Sequence, residues 1–189
     1  MNPEKVAVVG GGPAGMTVSR ELKKKDYEVH IYDKMEEIGG LWIFGLPDWR
    51  MDKSKIEKKI KETKERGIKV HTGVEVGKDI ELDELIDGFD AVILATGAWD
   101  AWMPPWEGID LPSVFHGFTY LLKRNLYKRG YISKDATLKA KGRTYVIGGG
   151  NTAMDACREA AREGADVHLL YRRSRELMPC SDQEFKDTR

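Results

Sequence analysis

Cysteine is nearly absent from this chain, Cys157 and Cys180 being the only two, and glutamine occurs once, at Gln183. Two cysteines this far apart build neither a disulfide framework nor a CxxC redox pair, and no cluster of residues offers an iron–sulfur or zinc site. Cys157 reads as helix packing and Cys180, after Met178-Pro179, as an ordinary free thiol. Scarce Gln beside abundant Lys and Glu is a balance reported for proteins of hot environments. Net charge is also absent, because 31 basic residues cancel 31 acidic ones. That removes long-range attraction to nucleic acid or to an anionic membrane. No apolar run, Ala91 to Ala95 being typical, approaches the roughly 20 residues that span a bilayer. Met1-Asn2-Pro3-Glu4-Lys5 leads straight into the first expected strand and leaves no room for a signal peptide. A cytoplasmic protein is expected.

What the chain has is one glycine pattern, twice. Gly10, Gly12 and Gly15 recur 138 positions later as Gly148, Gly150 and Ala153. The repeat extends to Val6-Ala7-Val8-Val9 against Thr144-Tyr145-Val146-Ile147, and to Glu28 through Asp33 against Asp166 through Tyr171. Each copy reads strand, glycine turn, helix, strand. In such a unit the first glycine permits the tight turn, the second admits a pyrophosphate to the backbone, and the third position lets helix pack on strand. The pyrophosphate then meets the N–H groups and positive dipole end of the helix.

The copies differ at the end of their second strand. Asp33 is an acid placed to accept from a ribose 2′-hydroxyl, which suits FAD or NAD. The second copy has Tyr171 there, followed by Arg172 and Arg173, whose guanidinium forks match a 2′-phosphate and suit NADP. The expected architecture is α/β: tandem Rossmann-like dinucleotide-binding units with parallel sheets, the second incomplete. The first domain is assigned to residues 1–111, and a connector helix with a partial second domain to 112–189.

Between the copies, Asp52 or Ser54 is expected to cap a helix over Lys55 to Arg66 that buries Ile56 and Ile60 and stops at Gly67. A strand follows at Ile68 to His71. Asp90 to Ala95 reads as a strand buried in a parallel sheet. Trp99, Trp102 and Trp106 lie in a Pro-containing crossover, where the expectation is simple packing of the rings. A helix is expected over Phe118 to Arg129, stopped by Gly130, with Lys123, Arg124, Lys128 and Arg129 forming a solvated basic face. The four histidines, His30, His71, His116 and His168, are scattered, and neither a general acid or base nor a metal ligand is nominated.

With Val9 through Gly15, Gly39-Gly40-Leu41, Gly45-Leu46-Pro47 with Arg50, Ala95-Thr96-Gly97, Gly148 through Asp155, Tyr171-Arg172-Arg173 and Met178-Pro179, the chain resembles the flavin oxidoreductases related to the glutamate synthase small (beta) subunit. These belong to the wider pyridine nucleotide-disulfide oxidoreductase superfamily. The resemblance covers essentially the whole chain. It implies an FAD site with Gly10, Gly12, Pro13, Ala14 and Gly15 at the pyrophosphate and Asp33, followed by Lys34, at the ribose. Gly40, Leu41 and Arg50 would lie near the flavin, Val76 beside the adenine, and Thr96 and Gly97 where the chain passes the cofactor. It implies an NADPH site with Gly148, Gly150, Asn151, Thr152 and Ala153 at the pyrophosphate and Arg172 and Arg173 at the 2′-phosphate. Hydride passes directly between nicotinamide and flavin in such proteins, so the protein supplies orientation rather than acid–base groups.

The resemblance also implies an iron–sulfur domain ahead of the first glycine motif, and a longer second domain followed by a Gly-Asp return segment. The sequence holds neither, so a split or truncated chain completed by a partner, in a hetero-oligomer, is expected. The leading reading is an FAD- and NADPH-dependent oxidoreductase subunit or fragment that exchanges electrons with an iron–sulfur partner. A non-catalytic nucleotide-binding subunit of a larger complex is the alternative. A thioredoxin reductase-like enzyme is disfavoured by the missing CxxC.

Overall fold

A computed structural model describes residues 3–188. The chain divides into two compact units at the junction of Trp99 and Asp100.

The first unit is built on four parallel strands, β1 (Lys5–Val9), β2 (Glu28–Asp33), β3 (Lys69–Thr72) and β4 (Ala91–Leu94), in the order β3-β2-β1-β4. Helices α1 (Pro13–Lys23), α2 (Leu41–Phe44), α3 (Lys53–Glu65) and α4 (Leu82–Gly88) connect them. Register pairs Val6 with Val29 and Val8 with Ile31, which puts these four buried side chains on one face. On the opposite face Ala7 and Val9 pack with Leu85 of α4, joined by Tyr32, Val76, Ile80 and Phe89. β1 is therefore apolar at successive positions because both its faces are covered. Burying each of these large side chains contributes about 1.5–3 kcal/mol.

Helix α3 forms as its cap and stripe predict. The Asp52 carboxylate accepts from the Ser54 N–H at 3.1 Å, Ile56, Ile60 and Thr63 are buried, and Gly67 turns the chain at a φ of 76°. Its first residue has a second task that the sequence did not reveal. Lys53 Nζ donates to the carbonyls of Trp42, Ile43 and Leu46 at 2.5, 3.0 and 2.6 Å, neutralising the open carbonyl end of α2 and tying that helix to α3.

The apolar run expected to be a buried strand is instead an edge. β4 pairs only with β1 among the described residues, and Leu94 is 65% exposed. A continuous apolar run cannot distinguish a central strand from an edge strand, because position in the sheet is set by the crossovers.

In the second unit, α5 (Gly117–Lys128) precedes two parallel strands, β5 (Arg143–Ile147) and β6 (Asp166–Leu170), joined by α6 (Asn151–Arg162). A 3₁₀ turn at Arg175–Leu177 and α7 (Asp182–Thr188) follow. Tyr120 and Leu121 of α5 and Ala156 and Ala160 of α6 are buried with Val146 and Val167 of the strands. The apolar face of α6 is thus covered. The surface left open is the other face of the sheet, where Tyr145, Ile147 and Leu170 are exposed.

Two further expectations are corrected here. The basic residues of α5 are not all solvated: the Arg124 side chain is 13% exposed and lies 3.1 Å from Glu159 and 2.9 Å from Glu163. Lys128 adds a contact to Glu159 at 2.9 Å. These two cations meet Glu159 of α6 and Glu163, its C-cap four residues on, so tertiary pairing holds side chains that the sequence leaves to water. Nor do two of the three crossover tryptophans, Trp102 and Trp106, pack, whereas Trp99 is partly buried. Trp102 and Trp106 are 77% and 53% exposed, because residues 100–115 form no helix or strand that could lay the rings on a core. Among the described residues, no helix is long and apolar enough to cross a membrane.

Candidate functional site

The first glycine turn links β1 to α1. Gly10 holds a φ of 105°, a conformation that glycine adopts without steric cost. A Cβ there would also stand 2.3 Å from the Ala95 carbonyl oxygen and 3.1 Å from the Thr96 Cα, so the end of β4 closes on the turn. At Gly15 a Cβ would reach 1.8 Å from the Gly10 oxygen. Both residues are glycine for reasons internal to the protein.

Gly12 is different. Its backbone, at φ −71° and ψ −172°, is open to any residue, and a Cβ there would meet nothing nearer than the Gly40 Cα at 3.8 Å. Gly150 repeats this in the second turn, at φ −90° and ψ 174°, with nothing nearer than Pro179 at 3.9 Å. Neither conformation nor protein packing requires glycine at these two positions. Space that a Cβ would fill, at the start of a helix, is what a closely approaching pyrophosphate needs. Gly12 and Gly150 are the N-caps of α1 and α6, neither helix has a side-chain cap, and neither has an acid in its first turn. Their first-turn N–H groups and positive dipole ends therefore remain open to an anion. The residues present fit a dinucleotide pyrophosphate at both turns.

Around the first turn the structure gathers most of the expected residues. Pro13 is the first residue of α1, where its missing N–H costs nothing, and Ala14 beside it is exposed. The carboxylate of Asp33 accepts from the N–H of Gly11 at 2.6 Å and of Met35 at 2.8 Å. Burial raises its pKa, and these two N–H groups oppose the rise. Each oxygen retains a further acceptor site for a ribose hydroxyl. Gly40, at a φ of 54°, brings the N-terminus of α2 against Gly12, a Cβ on it standing 2.8 Å from the Gly12 Cα. Leu41 follows as the first residue of α2. Lys34 is exposed and sits 5.2 Å from the Trp99 ring centre, while Trp99 Nε1 donates to the Thr96 carbonyl at 2.9 Å just before Gly97. Val76 packs in the apolar cluster with Ala7 and Val9. Arg50 lies in the turn after α2, its N–H donating to Pro47 at 3.1 Å.

The second turn shares the plan. Gly148 takes a φ of 147°, its N–H donates to Leu170 at 2.9 Å, and Asn151, Thr152 and Ala153 open α6. Arg172 and Arg173 are exposed, and no ion pair or hydrogen bond engages either among the described residues. Arg175, close in sequence, is occupied by Asp182 at 2.5 Å and by the Phe185 ring.

Sequence reasoning missed the middle glycine of each turn. Gly11 accepts from the Gly39 N–H at 2.8 Å, and Gly149 accepts from the Cys180 N–H at 3.0 Å. In each unit the segment after the second strand thus folds back onto its own turn. The available signal was a glycine in both copies at the position the pattern leaves free.

The family model described as pyridine nucleotide-disulphide oxidoreductase matches residues 4–188. The chain is 39% identical over 184 residues to the glutamate synthase [NADPH] small chain of Azospirillum brasilense, covering 95% of this chain and 38% of that one. It is 34% identical over 190 residues to the glutamate synthase [NADPH] small chain of Escherichia coli K12, covering 98% and 40%. The chain therefore spans about two-fifths of the length of these relatives. FprA from Mycobacterium tuberculosis in complex with NADPH superposes with a TM-score of 0.81 at 24% identity, over 98% of this chain and 47% of that one. That likeness is one of fold.

Proposed function

As the chain belongs to the pyridine nucleotide-disulphide oxidoreductase family, we propose that it forms the nucleotide-binding part of an FAD-dependent NADPH oxidoreductase. Residues 1–111 are assigned to FAD and 112–189 to NADPH. The observation that carries this reading is the pair of glycines, Gly12 and Gly150, that nothing within the protein explains, each at an uncapped helix N-terminus.

In this reading Gly10, Gly12, Pro13, Ala14 and Gly15 form the first pyrophosphate cradle. Asp33 holds the ribose, with Lys34 at the rim. Gly40, Leu41 and Arg50 border the flavin, Val76 the adenine, and Thr96 and Gly97 the passing chain. Gly148, Gly150, Asn151, Thr152 and Ala153 form the second cradle, and the uncommitted Arg172 and Arg173 take the 2′-phosphate. When bound, the two cofactors would supply hydride transfer and the release of single electrons to an acceptor. The chain's own contribution is to bind and orient. In this reading the groups at the turns, backbone N–H groups, the Asp33 carboxylate at the ribose and the two arginines at the 2′-phosphate, act as binding groups, and none is nominated as an acid or base. We further propose an iron–sulfur-bearing protein partner as the electron acceptor; the designation of the relatives as small chains supports assembly with another subunit.

An absorption spectrum of the purified chain, followed by anaerobic titration with NADPH and with NADH, tests this reading. Flavin bands bleached by NADPH and poorly by NADH are expected. Bound nucleotide with no NADPH-dependent bleaching, in the chain alone and with its partner, would replace the proposal with a non-catalytic nucleotide-binding subunit.

A further inference from the structure

Tyr171 occupies the place that Asp33 holds in the first unit, beneath the middle glycine of the turn. Asp33 reaches the Gly11 N–H with its carboxylate. Tyr171 fills the corresponding space with its ring: a Cβ on Gly149 would stand 2.7 Å from ring atoms Cδ2 and Cε2 and 3.0 Å from Cζ. The backbone at Gly149 is not left-handed, so this ring is what excludes a side chain there. The Tyr171 hydroxyl then donates to the Leu177 carbonyl at 2.9 Å. One side chain thereby fastens the start of the 171–177 loop to the glycine turn and closes the loop on itself. The Cys180 N–H on Gly149 makes a further tie after the loop, and Arg175 is held by Asp182 and Phe185. Arg172 and Arg173 remain uncommitted on a loop whose backbone is already fixed.

We propose that Tyr171 is a positioning residue for 2′-phosphate recognition, its ring on Gly149 and its hydroxyl on Leu177 presetting the loop that presents Arg172 and Arg173. The inference rests on the reading of the second unit as the NADPH site. Its physical basis is preorganisation: a loop ordered before binding does not have to lose its backbone freedom when the arginines grip a phosphate. A ring in place of the carboxylate also removes a negative charge that would oppose the 2′-phosphate.

The test titrates the intact chain with 2′,5′-ADP and with 5′-AMP, which differ only by the 2′-phosphate, following the amide resonances of Gly149 and Leu177 so that only the second turn is read. Wild type is expected to prefer 2′,5′-ADP. Tyr171→Phe keeps the ring and loses the closure, and is expected to lower that preference about three- to tenfold, the range for one hydrogen bond, with 5′-AMP affinity unchanged. A residue needed only for folding would weaken both ligands alike and leave their ratio intact. Tyr171→Phe with an unchanged ratio therefore overturns the role of Tyr171 alone. A wild type that does not distinguish the two ligands overturns the NADPH reading, and this inference with it.

Discussion

Glu159 is a buried charge in the second unit. Its side chain is 3% exposed and meets Arg124 at 3.1 Å and Lys128 at 2.9 Å, with α5 contributing the cations and α6 the acid. Glu159→Gln keeps the shape and removes the charge. Breaking a buried pair from one side costs about 3–5 kcal/mol, because the surviving charge is left without its partner. Two features place this case at the lower end. Arg124 retains Glu163 at 2.9 Å, and Lys128, 31% exposed, can turn to water. We expect Glu159→Gln to cost about 3 kcal/mol and Lys128→Ala less than about 1 kcal/mol, since solvent screens the more exposed partner. Urea unfolding of the intact chain, followed by hydrogen exchange in α5 and α6, measures both. With an m-value of about 1–3 kcal/mol/M, the Glu159→Gln midpoint should fall by about 1 M or more. Amides in β1 and β2 should keep their protection. A Glu159→Gln cost no larger than that of Lys128→Ala would refute the claim that this network is a buried anchor.

Gly12→Ala should leave stability within about 0.5 kcal/mol of wild type while emptying the first turn of nucleotide; Gly11→Ala, whose Cβ would stand 2.3 Å from Ile38, should cost about 1–3 kcal/mol. The melting temperature of the nucleotide-free chain and, separately, bound-flavin content distinguish the two, and equal melting temperatures would contradict the packing argument. The pKa of Asp33 is raised by burial from the ordinary 3.8, so the folded state binds its proton more readily than the unfolded chain. Its contribution to stability should therefore fall as pH rises from about 3.8 through the raised folded value. The difference between wild type and Asp33→Asn, measured by urea unfolding at successive pH values, should shrink across that window, and a difference that grows would reverse the sign. Burial pushes the Cys157 thiol up to about 11, so iodoacetamide at neutral pH should label it only after unfolding; rapid labelling of the native chain, seen by mass spectrometry, would show that the thiol is not buried as described.

Both glycine turns, their order along the chain and the contrast between Asp33 and Arg172-Arg173 were legible in the sequence. A dinucleotide turn is a local object: its tight bend, helix start and flanking strands all lie within one βαβ unit, so residue type and spacing specify it. The start of α3 at Asp52 or Ser54 and the stops at Gly67 and Gly130 were legible for the same reason, and the structure chose Asp52 as the cap. The apolar run at residues 90–95 fixed a strand and left its place in the sheet undetermined. The basic residues of α5 read as solvated because their acidic partners lie more than 30 residues away on another helix.

The sequence by itself thus determined where the two glycine turns open a helix and which of them is followed by an acid or by a pair of arginines. Those properties depend on neighbours along the chain. The tertiary structure alone decided which glycines the protein's own packing requires and which it leaves open, since that depends on what stands opposite each Cβ. It alone seated Tyr171 on Gly149, buried Glu159 between Arg124 and Lys128, and brought His30 within 3.3 Å of His71, a pair that reads in the sequence as two unrelated residues. Burial, the charge of His30 and Lys69 hold the pKa of His71 below its usual value. Contacts of this kind join residues that share no sequence period, and only the packing of sheet, helix and returning loop brings them together.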